Sequence, residues 1–140
     1  MKYALLLSTI AFITIGGVAN AETPTNLAQQ HIEAIGAGDV SKITSQYSAA
    51  ASLNWVGGPL DGTYNGPQRL AEVWGKFAKS QAPLKATVKN VAESANPAGS
   101  TITADVVFTG KATIKVRYVM LYRKGELVDE IWQIDPKLAE

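Results

Sequence analysis

The 140-residue chain contains no cysteine, a single histidine, His31, and no marked surplus of charge of either sign. Each shortage excludes something. Without cysteine there is no disulfide and no thiol chemistry, so the fold must rest on its hydrophobic core. One histidine and no cysteine would leave zinc to be held almost wholly by carboxylates, against that metal's usual preference, and neither a metal nor a cofactor is expected. Thirteen Lys and Arg face twelve Asp and Glu, with no basic stripe, which argues against nucleic acid as a partner. The N-terminal apolar run, Ala4 to Ile15, is shorter than the ~20 residues a membrane-spanning helix needs.

That run has a different reading. Lys2 precedes it, Gly16-Gly17 breaks it, and Ala19-Asn20-Ala21 places small residues where a signal peptidase requires them. Residues 1–21 are therefore expected to be a cleaved secretory signal, giving a periplasmic or secreted protein with no membrane contact after cleavage. No cysteine follows the small residues, so no lipid anchor is expected. Cleavage of the 140-residue chain after Ala21 leaves 119 residues, 22–140, enough for one domain and one core. Lys2 is the only charge removed, so the mature chain is expected to be formally neutral.

The first helix is expected to start near Thr23, with Pro24 at its first position, and to end at Gly36 or Gly38. Leu27, Ala28, Ile32 and Ile35 form its apolar face, with His31 and Ala34 at the margin. Asp39 caps a short second helix, Val40 to Tyr47. Residues 51–56 read as a strand, followed by a glycine-rich connection and a helix from Pro67 to about Gln81 that stacks Leu70, Val73, Trp74 and Phe77 on one stripe. From Leu84 the period changes to two, in runs near 84–93, 101–110, 113–123 and 126–135. In the third run Ile114, Val116, Tyr118, Met120 and Tyr122 share a face, while Val119 and Leu121 lie opposite with Lys115, Arg117 and Arg123. Both faces are partly apolar, as they would be in a sheet that wraps a pocket and meets a second subunit, so a homodimer through the sheet face is expected.

The stretch NWVGGPLDGTYNGPQRLAEVWGKF, Asn54 to Phe77, with two helices before it and four strand-like runs after it, resembles the nuclear transport factor 2-like (NTF2-like, SnoaL-like, steroid isomerase-like) superfamily. The ending GELVDEIWQID, Gly125 to Asp135, resembles that family's final hairpin, and the resemblance covers about residues 26–136. It implies an α+β, cone-shaped domain in which three helices from the N-terminal half pack on a strongly curved, mainly antiparallel sheet. Such a fold hosts enzymes, ligand binders and interaction modules alike. Steroid isomerase-like members place a tyrosine on the first helix, a carboxylate base near the end of the first strand and an acid on a later strand. Here those positions fall on His31, near Trp55 and near Lys115, so that proton-transfer set is absent.

Other chemistry stays open. The resemblance implies that His31 faces the cone, where an imidazole can relay protons near neutral pH, although a partly exposed helix histidine fits the sequence as well. Among Asp61, Asp105, Asp129, Glu130 and Asp135, strand parity with Val128, Trp132 and Ile134 turns Glu130 inward, where it would serve as an acid or base with His31; pairing with Lys115, Arg117 or Arg123 is its alternative. Asp105 lies on the more polar side of its strand. Tyr47, Trp55, Trp74, Phe77, Tyr118, Tyr122 and Trp132 are candidate pocket aromatics, and Asp61 and Tyr64 are candidates for gating its mouth, although Asp61-Gly62 also reads as a plain turn. Three functions follow. The first is an exported binder of a small apolar or aromatic molecule. The second is a lyase, isomerase or hydrolase using His31 with Glu130 or a tyrosine on a small cyclic or polyketide-like substrate. The third is a dimeric interaction module with a filled pocket.

Overall fold

A computed structural model describes residues 22–140 and places every element from local causes; the expected signal, residues 1–21, lies outside the described residues. Helix α1, Pro24–Ala37, begins where the Thr23 side chain accepts the Asn26 amide at 3.2 Å. It ends at Gly38, whose φ of 72° lets its amide turn back to the Ala34 and Ile35 carbonyls. Helix α2, Val40–Ser45, is capped by Asp39, which accepts the Lys42 amide at 3.1 Å. It stops short of the expected Tyr47, because Tyr47 already belongs to strand β1, Tyr47–Val56. A short strand β2, Gly62–Asn65, pairs back on β1 and leads to helix α3, Pro67–Gln81, which buries Leu70, Val73, Trp74 and Phe77.

The remaining strands are β3, Lys85–Asn96; β4, Gly99–Thr109; β5, Thr113–Arg123; and β6, Glu126–Ile134. They join the first two in one curved, unclosed sheet of order β2-β1-β6-β5-β4-β3. Four of the five pairings are antiparallel; β1 runs parallel to β6, which makes the sheet mixed. This crossover brings the start of the chain's sheet beside its end, and Leu53, Glu130 and Met120 lie in register across three strands.

The core lies between the concave face and the helices. Strand β5 alternates as expected: Val116, Tyr118, Met120 and Tyr122 are buried, while Arg117 and Arg123 face solvent. Strand β6 departs from strict alternation. Leu121 pairs with Asp129 but Tyr122 with Leu127, so Val128 is an extra, bulged residue. The bulge lets Leu127, Glu130 and Trp132 all point inward. Among the described residues no helix is long and apolar enough to cross a membrane.

Candidate functional site

In the core between the helices and the sheet, α1, β1, β5 and β6 each deliver one polar side chain to one buried point. His31 and Glu130 are 0% and 1% exposed, and the imidazole Nε2 stands 2.9 Å from Glu130 Oε1. The Tyr118 hydroxyl donates to the same oxygen and the Tyr47 hydroxyl donates to Oε2. Trp74 Nε1 in turn donates to the Tyr47 hydroxyl at 2.7 Å. Burial first, and the Glu130 carboxyl second, push the Tyr47 and Tyr118 phenols well above their ordinary range. Both hydroxyls therefore keep their protons and act as donors. The carboxyl is ringed by two phenol donors and the imidazole, which replace the water it gives up on burial. Nearby, the Tyr122 hydroxyl donates to Gln46 Oε1 at 2.9 Å, and its phenol is also raised, mainly by burial and then by Glu130.

The proposed partners Lys115, Arg117 and Arg123 stay away from Glu130. Arg117 pairs with Asp105 at 3.2 Å on the outer face, Lys115 with Glu140 at 3.3 Å, and Arg123 donates to the Ala98 carbonyl. Asp129 also faces outward and accepts from the Ser52 hydroxyl at 2.8 Å and from its neighbour's amide. Asp135 organises the turn after β6 by accepting the Lys137 amide. Among the described residues no three His, Cys, Asp or Glu side chains gather as metal ligands.

A cavity of about 700 Å³ lies between the end of α3, the loop after β1 and the neighbouring ends of β5 and β6. Trp55 and Phe77 form its floor, Leu60, Ile114 and Ile134 its apolar walls, and Lys76 and Lys115 reach its edge. Behind the floor stands one aromatic layer. Trp55 lies 5.3 Å from Trp74 and 5.0 Å from Trp132, while Trp132 lies 5.2 Å from Tyr118, ring centroid to centroid. Of the seven aromatics expected around a pocket, Trp55 and Phe77 line this cavity. Tyr47, Trp74, Tyr118, Tyr122 and Trp132 lie behind it in the core, because indoles and phenols fill the deep part of the cone themselves. The buried carboxyl cluster and the cavity are thus separate features, with Trp74 and Trp132 between them.

The loop expected to gate the mouth is braced. Asp61 Oδ2 accepts the Gly57 amide at 2.7 Å, and the Tyr64 hydroxyl donates to the Leu60 carbonyl at 2.6 Å. These bonds fold Gly57, Gly58, Pro59 and Leu60 over the cavity, with Asp61 and Tyr64 holding the loop from outside. Gly57 has a φ of 96°, and a Cβ there would approach Ile134 Cβ to 3.3 Å, so both backbone and space call for glycine. One lining residue had no sequence signal. Gln81, last in α3, reads as a solvent-facing helix end, yet it borders the cavity and its Oε1 is buried without a hydrogen-bond partner among the described residues.

Fold and site together define an α+β domain of three helices on a curved sheet, with an aromatic-floored cavity at one edge of its core. The profile of the SnoaL-like domain matches residues 28–130, and the chain belongs to that family, within the NTF2-like fold. Three solved structures illustrate the likeness. A putative calcium/calmodulin-dependent protein kinase type II association domain from Thiobacillus denitrificans is 17% identical, with a TM-score of 0.69 over 81% of this chain and 95% of that one. An NTF2-like protein of unknown function from Cytophaga hutchinsonii is 18% identical, with a TM-score of 0.60 over 85% and 96%. The orange carotenoid protein of Anabaena (Nostoc), solved binding canthaxanthin, is 8% identical, with a TM-score of 0.67 over 82% of this chain and 38% of that one. At these identities the likeness is one of fold. Among curated proteins no sequence matches.

Proposed function

We propose that this protein binds a small, largely apolar molecule in the cavity between the end of α3 and the loop after β1. The observation that carries the reading is the cavity itself: about 700 Å³, floored by Trp55 and Phe77 and walled by Leu60, Ile114 and Ile134. Its size falls within the range of small-molecule sites, and its walls supply the apolar surface such ligands need. The carotenoid bound by the Anabaena protein supports the fold's capacity for apolar ligands. Native mass spectrometry of the chain recovered from cells tests this, with Ile114→Trp, which fills the cavity, as the control. A non-covalent adduct on the wild type that is missing from the variant is expected. A bare wild-type mass, together with failure to bind an apolar dye such as 1-anilinonaphthalene-8-sulfonate, overturns it.

A second reading, acid–base catalysis by His31 and Glu130, draws on their 2.9 Å contact and on the tyrosines that join it. It requires Trp74 or Trp132 to move, since both stand between cavity and carboxyl. His31→Gln is the test: unchanged turnover of the recovered ligand removes catalysis by this pair. We further propose export, supported by Lys2, the run Ala4 to Ile15 and Ala19-Asn20-Ala21, and checked by the N-terminus of the mature chain. Dimerisation through the outer sheet face is supported by the exposed Ile131 beside the half-buried Val119 and Leu121. Sedimentation of Ile131→Lys, expected to be monomeric, checks it.

A further inference from the structure

We propose that the cavity's ligand is an amphiphile with a single anionic head, and that this head takes the place of the Glu140 carboxylate on Lys115; the inference rests on the cavity being a binding site. Three of the residues lining the cavity are charged, Lys76, Lys115 and Glu140, and the rest of its wall is mostly apolar. Two ammonium groups are thus set against one carboxylate. Lys76 is exposed on α3 and has no carboxylate partner among the described residues. Lys115 differs: its side chain is only 20% exposed, and its carboxylate partner among the described residues is Glu140, at 3.3 Å. An ammonium that has given up most of its water needs an anion beside it.

The partner it has is held loosely. After β6 the chain turns at Asp135, whose carboxylate accepts the Lys137 amide at 3.1 Å and whose carbonyl accepts the Leu138 amide at 3.1 Å, and this turn carries Glu140 back beside β5. The Glu140 side chain is 75% exposed, and the exposed Lys89 donates to the residue's carbonyl oxygen at 2.5 Å. An ion pair with its carboxylate still in water contributes little, because that carboxylate loses little when it leaves. An anion arriving from the cavity side meets the same ammonium while its apolar body covers Trp55, Phe77, Leu60 and Ile114. Burial of that body is what Glu140 cannot match, and the charge of the head is what a neutral molecule cannot supply. A cationic head would face two ammonium groups and be repelled.

Calorimetric titration at neutral pH with 2-naphthoate and its uncharged amide, 2-naphthamide, and with decanoate and decanamide as a chain-shaped pair, tests this on wild type, Lys115→Met, Lys115→Arg and Glu140→Gln. In the wild type each anion is expected to bind about tenfold more tightly than its amide, the difference one charge-assisted hydrogen bond makes. Lys115→Met, which keeps the apolar stem and loses the ammonium, is expected to abolish the preference, and Lys115→Arg to retain it. Glu140→Gln removes the competing carboxylate and is expected to tighten both anions about two- to fivefold while leaving the amides unchanged; a purely structural role for the Lys115–Glu140 pair would move all four probes alike. Equal binding of anion and amide in the wild type, a preference that survives Lys115→Met, or anions held no more tightly by Glu140→Gln overturns the anionic head at Lys115 and leaves the cavity reading standing. If none of the four binds, both fall.

Discussion

Glu130 shows how one residue can be expensive to keep and more expensive to change. Moving a carboxylate into the core costs several kcal/mol, on the order of what its bonds to His31, Tyr47 and Tyr118 return at roughly 1.5–3 kcal/mol each. The cluster is therefore close to neutral in net stability, while removal of any one member leaves the others unpaired in a place water does not reach. Glu130→Gln keeps the shape but sets an amide N–H against donors. It is expected to lower the unfolding free energy by about 2–4 kcal/mol, read from the urea midpoint. Tyr118→Phe leaves one donor missing and is expected to cost about 1–3 kcal/mol. The double variant should cost clearly less than the sum, because the two changes damage one network; additive losses would mean that the carboxyl and the phenol do not act together.

At the scale of elements, glycines separate backbone strain from crowding. Gly38 and Gly125 have φ values of 72° and 75°, so a Cβ strains both alike. Their surroundings differ: a Cβ on Gly38 would lie 2.6 Å from Ala82 Cβ, whereas one on Gly125 meets nothing within 4 Å. Gly125→Ala is expected to cost only the left-handed strain, about 1–2 kcal/mol. Gly38→Ala adds a clash that pushes α1 away from the end of α3, and should cost more by at least about 1 kcal/mol. Thermal or urea unfolding of both variants checks the order. The same local signals explain what was legible in the sequence. Thr23-Pro24, Asp39 and Pro67 mark the helix starts where the structure has them, since capping chemistry is local. Strand β2 was not legible because four residues between glycines look like loop. The start of β1 was hidden by Ser48-Ala49-Ala50, which carries little strand preference. For that reason the sequence reads Tyr47 as the end of α2 and gives no sign of its place beside Glu130. The inward turn of Glu130 was legible from its alternation with Trp132, but the bulge at Val128 was not, because register depends on the partner strand. Gln81 was invisible for a related reason: only tertiary packing tells a helix end on a cavity from one in solvent.

For the whole molecule, the three buried phenols make alkaline pH the condition that separates folded from unfolded chain. Tyr47, Tyr118 and Tyr122 are all held above the ordinary phenol value of 10.0, first by burial and next by Glu130. Below about pH 10 both states carry the phenolic protons and this contribution is fully present. Above it the unfolded chain releases them while the folded chain retains them, so stability falls as pH rises toward the folded-state values. Each phenol contributes about 1.4 kcal/mol per pH unit in that window, and three together about 4 kcal/mol per unit. A domain of this size has roughly 5–15 kcal/mol to lose, so cooperative unfolding is expected within about four pH units above 10. Tyr118→Phe starts from lower stability at neutral pH yet should show a slope about one third shallower, because one of the three linked protons is gone. Urea midpoints measured between pH 9 and 11.5 on both proteins test this. Parallel pH profiles for wild type and Tyr118→Phe would mean that Tyr118 ionises alike in both states, and that the buried cluster is open to solvent in a way the geometry of Trp74 and Trp132 excludes.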